Sequence, residues 1–187
     1  MLEIYQKTII EPIMFKGIGL HNGLRSEIKI LPALENHGII FKRIDLNSNN
    51  LIKANYKNVS SAVLCTTLKN KFEVSVSTVE HLLAALYITG VDNALIEIDN
   101  SEVPIMDGSS KEFVQTINET GLKNQQAKRK YIKINKKINF IEKEKSISIE
   151  PNKEGLKIEF ELVYSNSVIG KQSNVINFNE KKLEDVY

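Results

Sequence analysis

Tryptophan is absent from this chain of 187 residues, and cysteine occurs once, as Cys65. A single cysteine cannot form an intrachain disulfide, so the chain is not a disulfide-framed mini-protein. No run of about 18 apolar residues is present, so we expect no transmembrane segment. Residues 1–7 include an acid and no long apolar stretch, which is not typical of a signal peptide. A cytoplasmic location is therefore the default expectation.

An excess of charge of either sign is also lacking. The chain has 25 Lys and Arg against 23 Asp and Glu, for a net charge of +2. Dedicated nucleic-acid binders usually show a large basic excess, so we expect no nucleic-acid partner. The segment 123–145 is locally basic. We interpret it as a solvated linker with strand edges, and the alternative is attraction to an anionic membrane surface or nucleic acid.

Short strands are predicted through the first 75 residues and again near residue 95. The clearest is 26–31, where polar and apolar residues alternate with a period of two, as in a half-buried strand. The other strands predicted in this part of the chain are 8–10, 13–15, 38–44, 62–66, 72–76 and 94–98.

Two helices are predicted, each after a capping-box pattern. Ser77 is followed three residues later by Glu80, and Ser109 by Glu112. Apolar residues follow both patterns, and a glycine stands where each helix would end. The sequence therefore predicts helices over 80–88 and 110–120.

The polar segment 123–130 has no apolar periodicity, which predicts a domain boundary. The pattern indicates the α+β class, with a two-layer sandwich of a β-sheet packed on helices over residues 1–124. Residues 130–187 are predicted to be an incomplete second α+β domain of similar topology. Its strands are expected at 131–134, 138–140, 146–149 and 156–162, and a helix begins at 179. A strand ending at Pro32 before Gly38 is echoed at Pro151 and Gly155, which suggests a weak internal repeat.

Glu80 and His81 form the pair most suggestive of chemistry. A carboxylate beside an imidazole can supply a metal ligand with a general base next to it. The structural alternative is that Glu80 is only the capping-box acid and His81 an ordinary first-turn residue. A catalytic zinc site needs about three protein ligands. The chain has no H-E-x-x-H or C-x-x-C motif, so further ligands must come from distant sequence or from outside the chain.

Three other residues are weaker candidates. His21 lies in a Gly-dense loop that no helix follows, which favours a tight turn over a phosphate site. Cys65 is more simply a small buried hydrophobe than a nucleophile, because no partner is identified. Asp107 is expected to make a turn or to cap the second helix.

Five segments stand together in the order and spacing of a known family. They are Gly17-x-Gly-Leu-His-x-Gly23, Gly38-Ile-x-Phe-x-Arg43, Ser77-Thr-Val-Glu-His-Leu-x-Ala-Ala-Leu86, Gly90-x-Asp-Asn93 and Glu102-Val-Pro-Ile-x-Asp-Gly-Ser109. With these segments the chain resembles the zinc-dependent UDP-3-O-acyl-N-acetylglucosamine deacetylases of lipid A biosynthesis. The resemblance covers essentially the whole chain and is best over residues 7–122.

The resemblance implies a cytoplasmic enzyme of two similar α+β domains, with Zn²⁺ as cofactor and the active site between the domains. We expect a monomer. The substrate would be the small molecule UDP-3-O-acyl-N-acetylglucosamine, whose acetamide is hydrolysed to release acetate. Glu80 would be the general base and His81 a zinc ligand. Leu20, Leu64 and Cys65 would line the substrate pocket near the metal and the acyl chain. A peripheral membrane contact stays open.

The chain also departs from the family pattern. The family's other zinc ligands, one His and one Asp, belong to a later H-K-x-x-D motif with a catalytic Lys, and a further His follows. These residues cannot be placed here, because no histidine follows His81. We therefore expect an N-terminal fragment that is inactive alone and binds zinc weakly.

Two hypotheses in which the chain is not an enzyme stay open. The chain could be a non-enzymatic RNA-binding module, which a salt-dependent affinity for RNA would indicate. It could also be a cleft protein that binds a nucleotide sugar or lipid without chemistry. In that case a Glu80→Ala change would leave its function intact.

Overall fold

The computed structural model describes residues 4–153 and 155–178, which contain α-helices and β-sheets together. This confirms the predicted α+β class. The chain divides into two compact units by contacts, one spanning Leu2–Arg129 and the other spanning Lys130–Tyr187 together with Met1.

The first unit contains ten strands and two α-helices among the described residues. In chain order these are β1 (Tyr5–Ile9), β2 (Ile13–Ile18), β3 (Arg25–Pro32), β4 (Ile39–Arg43), β5 (Leu51–Lys53), β6 (Val59–Ser61), β7 (Thr67–Lys69), β8 (Ser75–Val76), α1 (Glu80–Thr89), β9 (Ala94–Ile98), α2 (Lys111–Thr120) and β10 (Leu122–Lys128). A 3₁₀ turn at Tyr56–Asn58 precedes β6.

A five-stranded sheet with the order β2-β3-β9-β4-β5 forms the main layer of this unit. Strand β9 is antiparallel to β3 and parallel to β4, so it lies between two strands that are closer to each other in sequence. Its bounds are those predicted, because alternate residues of 94–98 are buried with the period of a strand.

The two helices cover one face of this sheet and form the second layer of the sandwich. The buried residues of α1 are Leu82, Ala85 and Leu86, and those of α2 are Phe113, Val114 and Ile117. The rings of Phe15 in β2 and Phe113 in α2 meet edge to face, with centroids 4.8 Å apart. The sheet contributes the following buried residues: Ile13, Phe15, Ile28, Ile30, Phe41, Ile52, Ala94, Ile96 and Ile98.

Strand β10 corrects the expectation of an irregular linker over 123–130. It pairs with β1 in a two-stranded antiparallel sheet that belongs to the first unit. The Gln125 side chain donates to the Ala33 carbonyl and accepts from the Asn93 amide. Because this strand is held by polar side chains, it lacks the apolar alternation by which strands are predicted.

Three further strand predictions are wrong or too long. Residues 62–66 form a loop in which Leu64 has a φ of +65°, a left-handed conformation that no strand contains. Residues 131–134 make no ladder. The strand predicted over 72–76 is only Ser75–Val76, since the Asn70 carboxamide accepts from the N–H groups of Phe72 and Val74 and turns the chain.

The N-cap of α1 lies two residues after the expected Ser77, and that of α2 lies one residue after the expected Ser109. The N-cap of α1 is Val79 and that of α2 is Ser110, and neither makes a side-chain cap hydrogen bond. Ser77 instead forms a parallel bridge with Glu102, which takes it out of the helix. Both helices end as predicted, at Gly90 and Gly121, which have φ of 84° and 86°.

The second unit contains two antiparallel hairpins among its described residues. Strand β11 (Ile138–Glu142) pairs with β12 (Lys145–Ile149), and β13 (Leu156–Val163) pairs with β14 (Lys171–Phe178). Three of these strands match predicted ones. The helix predicted from residue 179 lies outside the described residues.

Candidate active site

Glu80 is the first residue of α1, and its side chain is already engaged in the fold. Its carboxylate Oε2 accepts a hydrogen bond of 3.0 Å from the backbone N–H of Thr66. The Thr66 carbonyl in turn accepts from the N–H of Val79 at 3.4 Å. Glu80 therefore fixes the loop before β7 against the start of α1, and it is not the capping-box acid that the sequence pattern allowed.

His81 follows at the second position of α1 and is half-buried. Its backbone carbonyl accepts a hydrogen bond of 3.0 Å from the Ser110 hydroxyl at the start of α2. This hydrogen bond joins the beginnings of the two helices at His81. The His81 imidazole extends from the first turn of α1, which the hydrogen bond between Glu80 and Thr66 fixes in place.

Leu64 and Cys65 lie in the loop that Thr66 anchors beside Glu80. The Leu64 side chain is 88% exposed and its backbone is left-handed. Leucine in this conformation is strained, and such strain tends to persist at functional positions. Cys65 is half-buried, with its thiol 3.8 Å from the Thr67 hydroxyl. The structure therefore presents Leu64 to solvent on the same loop that contacts Glu80.

Leu20 lies in the glycine-rich loop at 17–23 and is 60% exposed. The loop is a tight turn closed by the hydrogen bonds from the Gly19 N–H to the Leu24 carbonyl and from the Gly23 N–H to the Gly19 carbonyl. This confirms the expectation of a turn for the His21 segment. The backbone N–H groups of His21 and Asn22 both donate to the Glu102 carboxylate, at 2.9 Å each.

The Glu102 carboxylate joins this loop to the approach to α1. It also accepts a 2.8 Å hydrogen bond from the Thr78 hydroxyl, and the residue is only 1% exposed. Burial alone would raise the pKa of Glu102. The hydrogen bonds from His21, Asn22 and Thr78, together with the charge of His21, outweigh burial and lower that pKa below its usual range.

This lowered pKa predicts a loss of stability in acid. A carboxyl whose pKa is lower in the folded state stabilises the fold fully above its unfolded-state pKa, and the contribution disappears as pH falls through the folded-state pKa. We expect Glu102→Gln to be less stable than wild type at neutral pH, with the gap closing as the pH falls below the usual range for a glutamate carboxyl. Urea unfolding of both proteins at several pH values measures this gap, and parallel stability curves would contradict the prediction.

Asp107 makes the turn that was expected of it. Its carboxylate accepts from the hydroxyl and the backbone N–H of Ser109, at 2.8 and 2.9 Å. These two hydrogen bonds lower the pKa of Asp107. Ser109 then accepts from the Lys111 N–H through its hydroxyl, so this turn leads directly into α2.

The described residues do not assemble a complete metal site. They contain no group of three or more His, Cys, Asp or Glu side chains placed to hold a metal ion. Within this part of the chain, His81 is the one metal-ligand candidate that the sequence pattern names. None of the described helices is long and apolar enough to cross a membrane.

Two residues that organise the site were not singled out from the sequence. Thr78 has a φ of +56° and Glu102 is a buried acid, and neither property follows from local sequence pattern. The signal that the sequence offered is the glycine at position 19, where the structure leaves no room for a side chain. An ideal Cβ there would lie 2.6 Å from Glu102 Oε2.

Comparison with known proteins addresses the whole chain. The profile of the LpxC family, described as UDP-3-O-acyl N-acetylglycosamine deacetylase, matches residues 6–186. The chain belongs to the LpxC family. Curated relatives named UDP-3-O-acyl-N-acetylglucosamine deacetylase include those of Shewanella denitrificans, 39% identical over 178 residues, and Phenylobacterium zucineum, 37% identical over 183 residues. A third, from Nautilia profundicola, is 39% identical over 176 residues.

The LpxC match is nearly complete for this chain and partial for the relatives. The three alignments cover 94%, 97% and 94% of the chain and 58%, 62% and 59% of the respective relatives. The chain therefore spans about three fifths of the length of these curated family members. All five segments that carried the resemblance lie within the matched residues.

Proposed function

We propose that this chain supplies the general base and one zinc ligand of a deacetylase acting on UDP-3-O-acyl-N-acetylglucosamine in lipid A biosynthesis. Membership of the LpxC family and the names of the relatives support the reaction class. The observation that carries the assignment of residues is the position of Glu80. Its carboxylate is held by the Thr66 N–H, directly before His81 and beside the exposed Leu64.

The proposed reaction is hydrolysis of the acetamide. Water adds to the carbonyl carbon, the carbon–nitrogen bond breaks, acetate leaves and a free amine remains on the sugar. Glu80 takes a proton from the attacking water and passes one to the departing amine, as a general base and then a general acid. One oxygen of Glu80 stays hydrogen-bonded to the Thr66 N–H, which leaves the other oxygen available for the proton.

Zinc is the cofactor that we propose, with His81 as one ligand. The described residues supply no three-ligand group, so the remaining ligands must lie outside them. A bound zinc ion would supply Lewis-acid polarisation of the amide and a lower pKa for its water, toward about 7. We expect the isolated chain to bind zinc weakly and to release no acetate at ordinary enzyme rates.

The exposed apolar side chains of Leu20 and Leu64 suit the acyl part of the substrate. They lie on two different loops, each tied by hydrogen bonds to the approach to α1. Covering such side chains by a fatty acyl chain contributes roughly 25 cal/mol per Å² of apolar surface removed from water. Cys65 borders Leu64 and is proposed to line the same pocket.

Leu64→Asn is expected to separate stability from substrate binding. Asparagine tolerates the left-handed backbone, so the free energy of unfolding should rise by about 1 kcal/mol. Affinity for an acylated substrate should fall severalfold, because an apolar contact is replaced by an amide. Leu34→Asn is the control, since Leu34 is 84% exposed and has no left-handed φ. Urea midpoints of the chain measure the first effect, and KM values of the native protein that carries the chain measure the second. Equal behaviour of the two variants would contradict the prediction.

The proposed partners follow the same reasoning. The substrate is a small molecule, and we propose a cytoplasmic monomer without a nucleic-acid partner. The RNA-binding alternative rests on the α+β sandwich, a fold that also occurs in RNA-binding proteins, and on the basic segment 123–145. Part of this segment is strand β10, which is paired with β1. The structure thus gives that alternative no additional support.

The deciding experiment measures acetate release from UDP-3-O-acyl-N-acetylglucosamine by the native protein that carries this chain. We expect acetate and free amine in equal amounts, and loss of both after chelation and dialysis, with recovery on adding Zn²⁺. Binding of the nucleotide sugar without acetate release would favour a cleft protein that performs no chemistry. Salt-dependent binding of RNA without acetate release would favour the RNA-binding alternative.

A further inference from the structure

The buried Glu102 carboxylate is not used by the reaction proposed above. A buried charge is costly unless hydrogen bonds compensate it. Oε1 accepts from the His21 N–H and the Thr78 hydroxyl, and Oε2 accepts from the Asn22 N–H. Hydrogen bonds to an ionised acceptor are stronger than neutral ones. Glu102 is therefore a strong junction between the glycine-rich loop and the segment that leads into α1.

The backbone of Glu102 is also fixed to the segment that leads into α1. Ser77 pairs with Glu102 in a parallel bridge, in which the Ser77 N–H donates to the Ser101 carbonyl and the Val103 N–H donates to the Ser77 carbonyl. These hydrogen bonds are 2.9 and 3.1 Å long. Ser77 is thus held by the backbone, and the next residue, Thr78, is held through its hydroxyl.

Thr78 has a strained backbone conformation, which needs restraints of this kind to persist. It is a β-branched residue with a φ of +56°, in the left-handed region that these residues rarely adopt. Strain of this kind persists only where the surroundings over-determine the backbone. Thr78 stands two residues before Glu80, so its φ and ψ set the direction in which α1 begins.

The glycine-rich loop is shaped around the same carboxylate. An ideal Cβ at Gly19 would lie 2.6 Å from Glu102 Oε2 and 2.4 Å from Asn22 Oδ1. Both distances are far too short for carbon against oxygen. Only glycine allows this approach, so the loop that presents Leu20 and the turn that presents Glu80 meet at one side chain.

We propose that Glu102 is a positioning residue, which sets the Thr78 turn and thereby holds Glu80 and His81 in register with the Leu20 loop. Its relevance to catalysis rests on the proposed function, whereas the positioning itself is a property of the fold. The Thr66 N–H provides an independent reporter of position, because it donates to Glu80 Oε2. If the Thr78 turn relaxes, Glu80 shifts and this amide loses its acceptor.

The test compares amide hydrogen exchange and amide NMR shifts in this chain and its variants. Thr78→Val removes only the hydroxyl that reaches Glu102, and Thr78→Ser keeps it. We expect exchange at Thr66 to accelerate about tenfold or more in Thr78→Val and in Glu102→Gln. Thr78→Ser should resemble wild type. The shifts of the His21 and Asn22 amides should change in Glu102→Gln.

Asp92→Asn is the matched control for general loss of stability. Asp92 also accepts from a backbone N–H, that of Lys7, and is paired with Arg129. This variant should leave Thr66 exchange within about twofold of wild type under conditions where only local opening is measured.

An exchange rate at Thr66 that stays at the wild-type value in Thr78→Val would overturn the proposal. This test remains valid even if Glu102→Gln does not fold. Equal acceleration in Thr78→Val and Asp92→Asn would overturn it too, because the effect would then be global. The amide measurement needs no catalysis. A protein that releases no acetate but shows the expected pattern at Thr66 would refute the proposed function and leave the positioning role standing.

Discussion

Glu80→Gln is expected to lower kcat for acetate release by about 10²–10⁴-fold in the native protein that carries this chain. Glutamine keeps a carbonyl oxygen that can accept from the Thr66 N–H, so the loop at 62–66 should stay in place. It cannot take a proton from water, which removes the general base. Since substrate contacts are unchanged, KM should stay within about threefold of wild type.

Glu112→Gln is the matched control for this prediction. Glu112 is the first-turn acid of α2, as Glu80 is of α1, and it is exposed. Any effect of removing a negative charge at a helix start should be about the same in both variants, at most about 1 kcal/mol in stability. Equal kcat values for the two variants would show that Glu80 is only a structural acid.

Elements whose residues meet the core at regular spacing could be predicted from the sequence. The bounds of β9 were correct, because Ala94, Ile96 and Ile98 are buried in alternation. The ends of both helices were also correct, because Gly90 and Gly121 take a φ that other residues adopt with difficulty. These signals are local, so neighbouring residues are enough to recognise them.

Elements that depend on distant partners could not be predicted. Strand β10 was predicted to be a linker because its sequence is polar. The partners of its Gln125 amide, Asn93 and Ala33, are 32 and 92 positions away along the chain, so no local pattern reveals them. The loop at Leu64 looked like a strand, since its residues are apolar and β-prone. For the candidate site, the sequence indicated the pair Glu80–His81. Their surroundings, Thr66 and Glu102, depend on hydrogen bonds that span 14 and 24 or more positions.

The buried amide of Asn93 is another group whose hydrogen bonds join distant parts of the chain, and we expect it to contribute strongly to stability. Asn93 is 1% exposed, and its side chain makes three hydrogen bonds. It accepts from the Gly38 N–H at 2.7 Å and donates to the Gln6 and Gln125 side chains at 2.8 and 2.7 Å. This one amide therefore joins the start of β4 to β1 and β10.

Asn93→Ala is expected to lower the free energy of unfolding by about 3–5 kcal/mol. It leaves the half-buried Gly38 N–H and the Gln125 side-chain oxygen without this partner, and the Gln6 oxygen keeps only the Asn36 N–H. Each group left unsatisfied costs about 1–3 kcal/mol, and the buried contacts of the Asn93 side chain are lost as well. The Gln6 amide cannot simply turn over, because its NH₂ group donates to the Asn36 carboxamide and the Lys128 carbonyl. The free energy of unfolding of a whole domain is only about 5–15 kcal/mol, so the variant should be close to unfolding at 37 °C.

Asn93→Asp tests whether the donors of this amide matter as well as its shape. A carboxylate still accepts from the Gly38 N–H, but it faces the oxygens of Gln6 and Gln125 as a second acceptor. We expect a loss comparable to that of Asn93→Ala at pH 7 and a partial recovery near pH 4, where a protonated acid can donate once. Asn118→Ala, on the exposed face of α2, should change stability by less than about 0.5 kcal/mol. Urea unfolding at both pH values separates these outcomes. Wild-type stability of Asn93→Asp at pH 7 would contradict the prediction. It would mean that the carboxylate and the oxygens of Gln6 and Gln125 can move apart at no cost in free energy, so these hydrogen bonds would not hold β1 and β10 in place.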